Sequence, residues 1–511
     1  MFIKIALLVA FFSTMIGIGI YCRRSSRDVN GFVLGGRSVG PWFTAFAYGT
    51  SYFSAVIFVG YAGQFGWKFG IASTWIGLGN AFIGSLLAWV LLGRRTRVMT
   101  QHLGSATMPE FFEKRYDSRA LKIAASVIIF IFLIPYTASL YNGLSRLFAM
   151  AFGIDYVVCI VIMAVLTAIY VIAGGYMATA INDFIQGIIM LAGIVAVIAA
   201  VLNGHGGFTE ALAGLASVSD PAVSETPGIF ASFFGPDPVG LLSVVLLTSL
   251  GTWGLPQMVQ KFYAIKDEKS ISKGTIISTL FALVVAGGCY FLGGFGRLYD
   301  VDVATNGFDA IIPTMLEGLP DILVGVVIIL VLSASMSTLS SLVMTSASTL
   351  TLDFINGTIV KKMSEKAKLA CIRVFIGVFI AISVVIASIQ YKSNVTFIAQ
   401  LMGISWGALA GAFLAPFLYG LYMKRASKLA AWFSFGFGTI AMTLNLFFKS
   451  VFPAFLQSPI NCGAFTMIVG LIAVPVISLF TKPDKEKVDA AFSCYEEKVT
   501  VSVKQTLGEG K

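Results

Sequence analysis

The chain has 511 residues, 57% of them hydrophobic and only 12% charged, with a net charge of +10 and a mean hydropathy of +0.87. Soluble domains carry about twice that charge fraction, so this composition argues against a large soluble domain and for a polytopic membrane protein. Six cysteines at unpaired spacings (22, 159, 289, 371, 462 and 494) support neither a disulfide framework nor a metal cluster.

Thirteen apolar spans follow in chain order, at about 2–21, 40–62, 70–92, 121–150, 156–174, 181–202, 238–262, 274–296, 321–351, 371–390, 394–420, 428–448 and 460–480. Each is long enough to cross a hydrocarbon core. The first lacks a basic n-region and a small-residue cleavage site, and "RRSSR" follows it, so it reads as a retained helix. "GIYC" matches a lipoprotein site only loosely, because Tyr21 stands where a small residue is expected. The loops after spans 1, 3, 7, 9 and 11, together with the tail, hold 29 of the 35 lysines and arginines. That asymmetry places the N-terminus outside and the C-terminus in the cytoplasm of a plasma (inner) membrane. It also gives the +10 charge a topological reading rather than a nucleic-acid one.

Span 2 reads "FTAFAYGTSYFSAVIFVGYAG" and span 7 reads "LLTSLGTWGLPQMVQ". Gly49–Thr50–Ser51 and Gly251–Gly254–Pro256 suit a continuous helix poorly. Either break alone is equally a simple kink. The two spans lie five apart, however, which makes two five-helix units of opposite orientation, and paired discontinuous helices in inverted repeats point to a transport site near mid-membrane. The expected fold is an all-α polytopic membrane protein of about thirteen helices with a five-plus-five inverted-repeat core. The corresponding divisions are 1–39, 40–202, 203–237 (an external loop), 238–427, 428–480 and 481–511 (a cytoplasmic tail).

No GxxxxGK[ST] is present, both histidines (102 and 205) lie in loops, and no nucleophile or metal-ligand spacing occurs, so an enzyme is not expected. Span 9 is different in kind: between Ser333 and Thr351 it carries eleven hydroxyls in nineteen positions. Some of these (Ser346, Ser348 and Thr349) are expected to bond back to the preceding turn. Ala334, Ser337, Thr338 and Ser341, bordered by Ser340, share one helical face, and hydroxyls facing freed carbonyls of span 2 would suit a small hard cation. Asp183, at the start of span 6, reads either as a functional intramembrane acid or as a helix N-terminal acid facing the dipole.

"GFVLGGRSVG", "AGGYMATAINDFIQG", "ASMSTLSSLVMTSAS" and "GLYMKRASKLAAWFSFG" together resemble the sodium:solute symporter family over nearly the whole chain. Tyr176 departs slightly from its usual glycine-pair signature. The resemblance implies the thirteen-helix, five-plus-five fold and co-transported sodium. By position it implies a common sodium site of the carbonyls of Thr50, Phe53 and Ala334 with the hydroxyls of Ser337 and Thr338. It also implies a second sodium held by Asp183, Ser340 and Ser341, as in some members. Where proline carriers have an acid this chain has Tyr52, and where they have aromatic residues it has Thr248 and Thr252, which disfavours proline. With no Lys or Arg read at mid-membrane in spans 2, 4 or 7, a neutral solute or a monocarboxylate is expected. Ser51, Ser54, Tyr136, Thr252, Trp253 and Gln400 are the pocket candidates.

The function expected is therefore a sodium-driven importer, for which a single copy should suffice. Two other classes compete: a solute sensor working through a separate signalling partner, and a passive channel.

Overall fold

The computed structural model describes residues 2–22, 28–393 and 398–495, and among these every regular element is helical. Helix α1 (Phe2–Cys22) lies against the long helical run Tyr156–Gly204. Helix α2 (Pro41–Tyr52) begins on a proline, whose missing N–H costs nothing in the first turn. It stops at Phe53, which is extended (φ −88°, ψ 121°). The chain resumes as α3 (56–69), opening with wide π-type turns, and Gly70 (φ +61°) ends it. The break thus falls after Phe53 rather than at Gly49–Ser51. The hydroxyls of Thr50 and Ser51 are satisfied within the helix by donating to the carbonyls of Phe46 and Ala47, while Ser335 accepts the otherwise orphaned N–H of Ala55 at 3.0 Å.

Helix α4 (74–102) is followed by α5 (Met108–Tyr116), which Thr107 caps, and by α6 (Arg119–Phe152), which Ser118 caps. The run Tyr156–Gly204 is broken at Gly175 (φ +59°, ψ −164°) into α7 (156–174) and α8 (175–204). The expected loop before span 6 is consequently helical. Asp183 lies about two turns inside α8, which removes it from the helix terminus. In the stretch 203–237, expected to be a plain loop, Phe208–Ser217 forms α9.

The second broken span divides at Leu255 into α10 (Pro238–Gly254) and α11 (Pro256–Ala264), bent by 47°. Then come α12 (Glu268–Gly293), a short α13 (Ile311–Glu317), α14 (Asp321–Thr349), α15 (Glu365–Ser393), α16 (Ile398–Tyr422), α17 (Lys428–Phe447) and α18 (Pro459–Phe480). Among the described residues, ten helices are long and apolar enough to cross a membrane, or eleven with α10 and α11 joined. The tail is not all solvated: α19 (Lys485–Phe492) buries Val488, Ala491 and Phe492, and Lys487 pairs with Asp117 at 2.6 Å.

Two features position the centre. Helices α3 and α12 cross backbone to backbone, so that a Cβ on Gly66 would lie 2.0 Å from the Gly293 carbonyl oxygen. At one end of the broken helices, Val39 N donates to Ala264 O and Lys266 N donates to Val39 O. Buried Arg37 there donates to Thr100 Oγ1 and to the carbonyls of Tyr263 and Ser105.

Candidate functional site

Helix α14 is enclosed on all sides: every residue from Val327 to Thr349 is buried, and α2, α6, the α7–α8 rod and α15 surround it. The hydroxyls divide by role. Ser348 and Thr349 bond back to Met344 O and Thr345 O, whereas Ser346 has no partner among the described residues. Facing the end of α2, the hydroxyl of Ser337 lies 3.1 Å from Thr50 O and 2.9 Å from Ala334 O. That of Thr338 lies 3.1 Å from Thr50 O, 3.2 Å from Phe53 O and 3.0 Å from Ala334 O. Five oxygens therefore converge, with only two hydroxyl hydrogens to share among three carbonyls. A knot so rich in acceptors and poor in donors is chemically matched to a small cation.

One helical turn away the arrangement differs from expectation. Ser340 turns back to Ser337 O at 2.8 Å. Ser341 Oγ lies 3.0 Å from Ser51 Oγ and accepts a bond of 3.0 Å from the Lys261 ammonium. Ser51 thus joins this cluster rather than a solute pocket. Asp183 is fully buried, and neither carboxylate oxygen has a hydrogen-bond partner among the described residues. Lys261, one of the basic residues counted with the loop after span 7, is 3% exposed and lies within the protein core. A window of hydropathy does not separate a lysine at a span's end from one turned inward. A finer signal existed, since Gln257 and Lys261 are one turn apart and make a polar seam on α11.

The solute candidates divide as well. Tyr136 is fully buried and packs edge-on to Trp406 with ring centroids 5.9 Å apart. Its hydroxyl lies near that of Ser54 without completing a hydrogen bond. The polar atoms of Tyr61, Tyr136 and Trp406 are buried and complete no hydrogen bond among the described residues. Thr252 and Trp253 face elsewhere, donating to Gly84 O (3.1 Å) and Ile83 O (3.0 Å) of α4. Gln400 is half-buried at the start of α16, about 9 Å along the axis from Trp406. The side chain of Tyr52 lies outside the described residues. Trp406 and Tyr61 were not singled out from sequence, although Trp406 is the one aromatic residue in the small-residue stretch 403–412.

The fold is shared with solved transporters. A Na+-coupled sialic acid symporter in a substrate-bound, outward-open state superposes with a TM-score of 0.71 at 17% identity, covering 94% of this chain and 99% of its own. Mhp1, a nucleobase-cation-symport-1 family transporter in a closed conformation, gives 0.51 at 15% identity, covering 90% and 97%. In sequence, the osmoregulated proline transporter OpuE of Bacillus subtilis (strain 168) is 30% identical over 427 residues, 82% of this chain and 84% of that one. A sodium/proline symporter of Staphylococcus aureus (strain JH9) is 29% identical over 436 residues, covering 83% and 82%. The sodium:solute symporter family model matches residues 32–438, and the chain belongs to that family. It is accordingly a multi-pass transporter of the cell membrane, with sodium as the co-transported ion.

Proposed function

We propose that this protein imports a small neutral solute or a monocarboxylate by alternating access, driven by one sodium bound at the junction of α2 and α14. The convergence of Thr50 O, Phe53 O, Ala334 O, Ser337 Oγ and Thr338 Oγ1 carries the reading. The solute would sit beside Tyr136, Tyr61 and Trp406, with Ser54 at the break of α2 and the N-terminus of α11 able to receive a carboxylate. In this reading residues 40–202 and 238–427 are the two inverted units of a thirteen-crossing fold, flanked by 1–39, the external 203–237, 428–480 and a cytoplasmic 481–511. The N-terminus lies outside, and one copy suffices.

Proteoliposomes tested with neutral solutes and monocarboxylates, with and without a sodium gradient, decide the class. A carrier exchanges labelled for unlabelled solute in counterflow and saturates. Absence of counterflow for every sodium-stimulated ligand would instead favour the sensor, and uptake without saturation the channel. For the solute so identified, Tyr136→Phe is expected to lower apparent solute affinity by about 10-fold, the loss of one hydrogen bond to a buried partner, and to leave sodium binding unchanged. Equal solute affinity in Tyr136→Phe and wild type would place the pocket elsewhere.

A further inference from the structure

A buried carboxylate with no hydrogen-bond partner needs a compensating charge. For Asp183 that charge is already present on this chain. Lys261 projects inward from the last turn of α11, near enough for its field to reach Asp183 but without a direct ion pair to it among the described residues. The ammonium lies 3.0 Å from Ser341 Oγ and 5.1 Å from the centre of the Tyr176 ring. Ser341 in turn meets Ser51 of α2 at 3.0 Å, and Ser340 is engaged with Ser337 O. Hydroxyl, carboxylate field and aromatic face are the surroundings that a cation requires, and here they surround a lysine.

We propose that the Lys261 ammonium is the resident occupant of the second cation site, so that one sodium rather than two binds to each chain. The inference rests on the sodium site proposed at Thr338. A second sodium entering beside Asp183 would meet a fixed positive charge in the buried interior. At about 5 Å and a protein-like dielectric, that repulsion weakens binding by about 100-fold or more. Lys261 therefore sets the ion stoichiometry. Because it belongs to α11, the half-helix beyond the Leu255 break, it couples this charge balance to the position of that half-helix. A lysine retained only for packing would have no such effect on ion number.

The test is binding of radiolabelled sodium to the purified full-length protein in lipid nanodiscs, with no solute present. Wild type is expected to bind about one ion per chain along a hyperbola, with a Hill coefficient of about one. Lys261→Met exposes the carboxylate to sodium, so this variant should bind about two ions, with a thermal stability that rises more steeply with sodium than that of wild type. Lys261→Arg, which keeps the charge, should bind one, and the double variant Asp183→Asn/Lys261→Met should also return to one. Two ions on wild type would overturn the resident ammonium while leaving the Thr338 site standing, as would a folded Lys261→Met that still binds one. Should Lys261→Met fail to fold, Lys261→Gln takes its place, and one ion on that folded neutral variant would likewise overturn the resident ammonium. No ion on wild type would overturn the Thr338 site itself.

Discussion

Thr338→Val and Ser337→Ala should each raise the sodium concentration that half-saturates the protein by about 10-fold or more. Thr338 is the hub of the oxygen knot, within 3.2 Å of three carbonyls on two helices. Valine keeps its shape and removes only the oxygen. Losing one partner from a buried polar cluster costs on the order of 1–3 kcal/mol, and every 1.4 kcal/mol is about tenfold in affinity. Radiolabelled sodium binding gives the measurement directly, with Thr338→Ser as the control that keeps a hydroxyl and should remain close to wild type. If Thr338→Val and Ser337→Ala, both folded, bind sodium as wild type does, the site is not at this junction.

Gly66→Ala is expected to abolish folded protein. The added Cβ would stand 2.0 Å from the Gly293 carbonyl oxygen, a backbone atom that no side-chain rotation can move away. The reverse contact is as close: a Cβ on Gly293 would stand 2.0 Å from Ala62 O. Overpacking costs about 1–3 kcal/mol where side chains can give way, and here two main chains must part. Gly377→Ala makes the contrast, since nothing lies within 4 Å of its added carbon and alanine suits a helix interior better by about 0.5–1 kcal/mol. Yield of monodisperse protein after detergent extraction separates the two. A Gly66→Ala protein as well behaved as Gly377→Ala would mean that α3 and α12 do not cross as described.

What the sequence revealed depended on whether a feature was written in composition or in side-chain direction. The membrane class, the break at Pro256 and the hydroxyl face of α14 are compositional, because apolar length, a missing donor and clustered oxygens are visible without coordinates. The first break was placed too early. Gly49, Thr50 and Ser51 look like helix breakers, yet the hydroxyls of Thr50 and Ser51 find acceptors within their own helix, and the chain gives way at Phe53, where Ser335 of a distant segment can receive Ala55. Thr252 and Trp253 sit at the right height but point toward α4, which residue spacing alone does not fix. Lys261 escapes notice for a related reason: a lysine at the end of an apolar span ordinarily extends into water, and only the tertiary fold shows this one turned inward to Ser341.

The bonds among Arg37, Val39 and the end of α11 have a mechanical consequence. Phe53 and Leu255 are two hinges, one in each broken helix, and beyond them α2 and α11 share a crossbar: Val39 pairs with Ala264 and Lys266, and Arg37 grips Tyr263 O together with Thr100 and Ser105. Any swing that keeps the crossbar whole carries both half-helices as one door. Since Ser51 and Lys261 ride on that door while Ser341 stays on α14, its first displacement draws apart the Ser51–Ser341 and Lys261–Ser341 contacts together.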